Sequence, residues 1–113
     1  MTKYLISFPS FAMEIPEEGL PTVAAEAHAV IQEAKDAGVY VFGGGINEEV
    51  APVLVTSDGI VSDRLYAQAQ VPNGGYTVLE LPSREAAVAW AAKIATACRC
   101  AQEVREFQYD PES

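Results

Sequence analysis

Residues 22–45 read TVAAEAHAVIQEAKDAGVYVFGGG, and the change of period inside that stretch decides the fold class. Val23, Ala27, Val30, Ile31 and Ala34 recur at spacings of four, three, one and three, which gathers them into one stripe of a helix over Thr22 to Ala37. Gly38 supplies the stop, because glycine takes the left-handed conformation that closes a helix without a Cβ clash. Val39-Tyr40-Val41-Phe42 follows at once as a strand, and Gly43-Gly44-Gly45 ends or bulges it.

The rest of the chain extends this alternation in both directions. Tyr4 to Phe8 is aromatic and branched and stops at Pro9, so it reads as a first strand. Pro9 to Pro21 reads as a loop with room for one helical turn. Val53-Leu54-Val55-Thr56 and Ile60-Val61-Ser62 flank Ser57-Asp58-Gly59, a hairpin signal that puts the third strand here. Arg64 to Asn73 has no period and reads as a loop, and Tyr76 to Leu81 reads as a further strand closed by Pro82 and Ser83. Ser83 then caps a second helix, with Glu85 at its positive end and Ala87, Trp90, Ala91, Ile94 and Cys98 on one face. Ala101 to Tyr109 alternates loosely as a last strand before a frayed tail. The expected fold is α+β: one domain over residues 1–113, of order β-α-β-β-α-β, with two helices on one face of a mainly antiparallel sheet.

The strands do not alternate as a half-wet sheet should. Leu5-Ile6, Val39-Tyr40-Val41-Phe42 and Val53-Leu54-Val55 are apolar at consecutive positions, so both faces of the sheet carry groups that need burial. Face-to-face packing of two such sheets buries them, and a homodimer is the expectation.

Composition narrows the partners. Half of the 113 residues are hydrophobic and a fifth are charged, the profile of a folded globule. Sixteen acidic against seven basic side chains give a net charge of -9, and the cations Lys3, Lys35, Arg64, Arg84, Lys93, Arg99 and Arg105 are scattered. Such a field repels phosphate backbones and anionic lipid, which argues against nucleic acid and membrane as partners. Glu14, Glu17 and Glu18 after Pro9 interrupt any signal-peptide core and no apolar run approaches a membrane span, so the expected location is cytoplasmic, with Cys98 and Cys100 reduced.

Candidate chemistry is sparse. His28 is the only histidine and the only candidate proton carrier for chemistry near neutral pH; it borders the apolar stripe of its helix. Cys98 and Cys100 are separated by a single residue and have no second pair, so no metal site is expected. Gly43-Gly44-Gly45 is no phosphate loop, since neither a Lys-Ser/Thr nor a helix follows. Asp63, in a loop beside Arg64, is placed either to orient a polar ligand or to cap its own turn. Tyr76, Glu80, Glu103 and Arg105 alternate onto strand faces, where some of them would line a cleft between the sheet and a partner subunit.

Ser62-Asp63-Arg64-Leu65-Tyr66-Ala67-Gln68 followed by Gly74-Gly75-Tyr76 resembles the signature of the YCII-related proteins, in the branch named for a DGPF motif, which runs about T-D-G-P-F-A-E and then G-G-Y. Ala37-Gly38-Val39, Gly43-Gly44-Gly45, Glu85-Ala86-Ala87 with Trp90-Ala91, and Glu103-Val104-Arg105 agree in the same order, so the resemblance covers Lys3 to about Phe107. It implies a ferredoxin-like fold paired into a dimeric α/β barrel. It departs where chemistry would sit: Arg64, Leu65 and Gln68 stand for the family's Gly, Pro and Glu, and an amide at 68 cannot act as a base. His28 is one position from the helix-one histidine of the YCII branch, and Thr96-Ala97-Cys98-Arg99-Cys100 holds no aspartate to pair with it.

The resulting expectation is a dimeric small-molecule-binding protein, extending to a cofactor-independent enzyme. His28 and Asp63 are its candidate catalytic residues, and Arg64, Tyr66, Gln68, Tyr76 and Arg105 its candidate ligand contacts, with Tyr66 and Tyr76 as apolar walls. The alternative is a non-catalytic interaction or regulatory module that has lost the family's active-site residues. A role in transcription initiation, a label attached to some relatives, fits poorly with acidic, unclustered charge.

Overall fold

A computed structural model describes residues 1–67 and 72–113. Strand β1 (Thr2–Phe8) gives way at Pro9 to two short 3₁₀ turns, Ser10–Ala12 and Glu17–Gly19, and then to helix α1 (Leu20–Asp36). The helix begins two residues before the expected Thr22. Pro21 lies in its first turn, where a proline loses no hydrogen bond. Gly38, at φ 74°, turns the chain out of α1 through its N–H to the Lys35 carbonyl.

Strand β2 (Tyr40–Gly45) ends with the glycine run, while its register shift falls ahead of the glycines, between Tyr40 and Phe42. The expected hairpin forms as two two-residue strands, β3 (Leu54–Val55) and β4 (Val61–Ser62), but as a separate ribbon. The third strand of the main sheet is instead β5 (Gly75–Leu81), followed by helix α2 (Arg84–Cys98) and a short β6 (Glu103–Glu106). The Asp58-Gly59 turn reports only local geometry; Val53, Val55, Ile60 and Val61 stay exposed because nothing in the main sheet pairs with them.

The main sheet runs β2-β5-β1-β6 with every neighbouring pair antiparallel. This α+β arrangement is compatible with a ferredoxin-like fold. Tyr4, Ile6, Leu79 and Leu81 point to one face and pack with Ala34 of α1 and Ala87, Ala91, Ile94 and Cys98 of α2, so both helices cover that face. The Ser83 hydroxyl accepts the Ala86 N–H at 3.2 Å as the α2 N-cap. At the other end Arg99 takes φ 61° with no glycine to ease it. Its guanidinium is anchored to the Glu26 carboxylate and to the Ala97 carbonyl at 2.7 Å, which ties the end of α2 to α1.

The opposite face is open, and register orders it into rows across β5, β1 and β6: Tyr76, Ser7, Glu103; Val78, Leu5, Arg105; Glu80, Lys3, Phe107. Phe42 of β2 extends the middle row. The apolar doubling read at Leu5-Ile6 thus has a structural meaning, one residue for each face. Among the described residues, no helix is long and apolar enough to cross a membrane.

Leu79 is fully buried at the centre of this packing, so Leu79→Ala removes about 2–5 kcal/mol of stability. Ser83→Ala, which deletes only the cap, removes about 1 kcal/mol. Urea unfolding followed by circular dichroism measures both, and a larger loss at Ser83 than at Leu79 would contradict this placement of the core.

Candidate functional site

The helix-covered face has a gap. Register stacks Gly43 of β2 opposite Thr77, Gly45 opposite Gly75, and Gly75 opposite Phe8, so three glycines meet on the inward face at one end of the sheet. The Phe8 ring lies over Gly75 and the Tyr40 hydroxyl over Gly43, and beyond them the sheet and helices leave a cavity of about 530 Å³, walled by Leu20, Ala27 and Ile31 of α1 and by Ile94 and Cys98 of α2. Its lining is mostly apolar, with Thr77, Ser10 and His28 as polar points.

Gly74 sets the edge of this cavity. It has φ 80°, and a Cβ there would lie 2.0 Å from the Phe8 carbonyl oxygen, so no other residue fits without moving the backbone. The preceding Asn73 accepts the Ser10 N–H at 2.9 Å, which holds the chain after β1 against the entry to β5.

His28 lies on the exposed side of the cavity wall and makes no hydrogen bond or ion pair among the described residues. Asp63 is exposed beyond β4 and is not part of that wall. The two candidate catalytic residues are therefore not brought together. Arg64 is also exposed, its backbone N–H donating to the Ser62 hydroxyl at 3.0 Å. Tyr66 borders a different, apolar cleft of about 600 Å³ with Val50, Pro52, Leu54 and Leu65. Gln68 lies outside the described residues.

Tyr76 and Arg105 are brought together, on the open face. They border a cleft of about 860 Å³ that also includes Ser7, Asn73 and Glu103. Arg105 approaches the Glu103 carboxylate at 3.4 Å, and both side chains are more than half exposed, so the pair contributes little to stability. Ser7 and Thr77 escaped the sequence reading because their significance comes from cross-strand register.

Among the other cations, Lys3 pairs with Glu80 at 3.2 Å, Lys93 pairs with Glu33 and lies over the Trp90 ring, and Lys35 lies over the Tyr40 ring. Among the described residues, no group of three or more His, Cys, Asp or Glu side chains is placed to hold a metal ion. A scan against models of known protein families finds no match, and a comparison with curated proteins finds no relative.

Burial raises the proton affinity of the Cys98 thiol in the cavity wall, and the neighbouring Cys100 raises it further. Burial does the same to Cys100 and to the Tyr4 phenol, which Glu106 also pushes up. All three groups are held protonated more tightly in the folded chain than in the unfolded one. Their stabilising contribution is therefore complete below about pH 8.5, the ordinary cysteine value, and is lost as pH rises through the folded values. The urea midpoint should fall steadily between pH 8 and pH 10.5, whereas a flat midpoint over that range would show these groups to be as free as in the unfolded chain.

Proposed function

We propose that the chain is a small-molecule-binding protein of the YCII-related kind, working as a homodimer, with its ligand in the glycine-floored cavity between sheet and helices. The cavity carries this reading. Its volume of about 530 Å³ falls in the usual range for ligand sites, and it combines apolar walls with a few polar points. The ligand this suits is a compact aromatic or branched apolar molecule with one polar group directed to His28.

Binding is proposed ahead of catalysis because His28 stands without a partner and Asp63 lies elsewhere, so no acid–base pair is assembled among the described residues. The same separation favours the second reading, an interaction or regulatory module descended from an enzyme. The motif around Asp63 and Gly74-Gly75-Tyr76 supports the family reading. Two free cysteines accord with a reducing, cytoplasmic setting.

The dimeric α/β barrel is proposed from the open face. Phe42, Val78 and Leu5 form an apolar row across three strands, bordered by charges of both signs at Lys3 and Glu80. A two-fold pairing can set such a face against itself with opposite charges in contact. Sedimentation should give twice the monomer mass of 12.1 kDa at micromolar concentration. Leu5→Glu should weaken the pairing by about tenfold or more, roughly 1.4 kcal/mol, with the circular dichroism spectrum retained. A wild-type monomer would overturn the pairing.

Gly45→Leu tests the cavity. A Cβ at Gly45 has only an ordinary 3.5 Å contact, to the Gly74 carbonyl, so a side chain can be started there on the cavity lining. Thermal shift with benzoate, phenylacetate, indole and hexanoate should reveal a stabilising ligand for the wild type, by about 2.7 kcal/mol at a hundredfold excess over its dissociation constant. Gly45→Leu should abolish the shift. Silence of the wild type across such a panel would favour the interaction module.

A further inference from the structure

The wall of the open-face cleft includes a hydroxyl that no other side chain among the described residues bonds. Ser7 is only 6% exposed, yet it points away from the core, between Tyr76 of β5 and Glu103 of β6. Its side chain makes no hydrogen bond among the described residues and borders the cleft of about 860 Å³. Among the described residues no sealed side-chain oxygen lacks a partner, so the Ser7 hydroxyl is reached from the cleft and is free to bond what enters it.

The charges around it are equally specific. Arg105, one row along, offers a guanidinium that its 3.4 Å contact with Glu103 does not saturate. A simple anion drawn to Arg105 would meet the Glu103 carboxylate beside it and the field of a chain of net charge -9. A simple cation drawn to Glu103 would meet Arg105. A molecule with both charges on adjacent atoms and no net charge meets neither repulsion. Pro9, Phe11, Pro72 and the Tyr76 ring supply an apolar border for the remainder of such a molecule. Asn73, whose side-chain oxygen is committed to Ser10, keeps its NH₂ group as a donor.

We propose that this cleft binds a free α-amino acid with an apolar side chain. The carboxylate lies between the Arg105 guanidinium and the Ser7 hydroxyl, the ammonium group on the Glu103 carboxylate, and the side chain against Tyr76, Pro9 and Phe11. A peptide terminus does not fit the same pattern, because it carries only one of the two charges on a given α-carbon. All of these contacts come from one chain, and the cleft opens on the other face of the sheet from the glycine-floored cavity, with which it shares Phe8 and Tyr76 in its lining. Sheet pairing decides only whether the outer side of the cleft faces water or a second copy.

The test is calorimetric titration of the full chain with L-phenylalanine and L-leucine, beside N-acetyl-L-phenylalanine, which lacks the ammonium group, and L-phenylalaninamide, which lacks the carboxylate. At least one free amino acid should bind saturably, and each blocked form of phenylalanine should bind at least about tenfold more weakly than phenylalanine itself. Arg105→Gln and Glu103→Gln, both at exposed positions, should each weaken binding by about tenfold, and Ser7→Ala by a smaller factor. Gly45→Leu should leave this binding unchanged while removing ligands of the helix-side cavity, so the two sites fail separately. The absence of saturable binding by both amino acids up to about 10 mM, weaker than any ordinary ligand site, would overturn the proposal. So would tighter binding of the N-acetyl form, or affinity indifferent to both Arg105→Gln and Glu103→Gln.

Discussion

The antiparallel pairing of β1 with β5 is the constraint on which the rest of the molecule depends. It sets Tyr4 against Leu79 and Ile6 against Thr77 on the helix side, and Leu5 against Val78 and Ser7 against Tyr76 on the open side. A slip of one residue would exchange the faces, driving Lys3, Glu80 and Ser7 toward the helices and stranding Ile6 and Leu79 in water. Burial of Ile6, Leu79 and Leu81, each almost wholly enclosed, makes that slip prohibitive. The same register brings Phe8 beside Gly75, and Gly75 beside Gly45, and so sets the lining of the cavity at that end of the sheet.

The helices were the most legible part of the chain. Val23 and Ala34 on α1, and Ala87, Ala91, Ile94 and Cys98 on α2, all face the core as their spacing requires, because a helix states its buried face through local periodicity. Gly38 and Ser83 close and open the helices through contacts within a few residues, so they too were readable. Arg99 was not: its left-handed backbone goes with an ion pair to Glu26, a long-range contact with no local signature.

Strand partners were harder for the same reason. Leu54–Val55 and Val61–Ser62 do pair, as the Asp58-Gly59 turn indicates, with Thr56 accepting and donating across it. A turn signal says which two segments meet and nothing about which sheet receives them, so the place of β5 beside β1 was hidden. The candidate site suffered most. Tyr76 and Arg105 come together because β1 lies between their strands, whereas His28, Asp63 and Tyr66 are separated by the fold although each carries suitable chemistry. The glycine run offers backbone freedom, but its consequence is spatial: register sets it opposite Thr77, Tyr76 and Gly75, where the Phe8 ring and the Tyr40 hydroxyl lie over the backbone beside the cavity.

The two concavities share strands β1 and β5, with Phe8 and Tyr76 in the lining of both. Gly75 and Thr77 border only the helix-side cavity, while Leu5 and Ser7 border only the open cleft. Because a strand assigns successive side chains to opposite faces, substitutions at Thr77 or at Leu5 and Ser7 reshape one site and leave the walls of the other in place. The core limits this freedom at Tyr4, Ile6, Leu79 and Leu81, which must stay apolar, and at Gly74, where the Phe8 carbonyl excludes a Cβ. Chemical specificity is therefore free to vary at the Phe8 and Gly75 end of the sheet, while stability is held at the other end by residues that touch neither ligand.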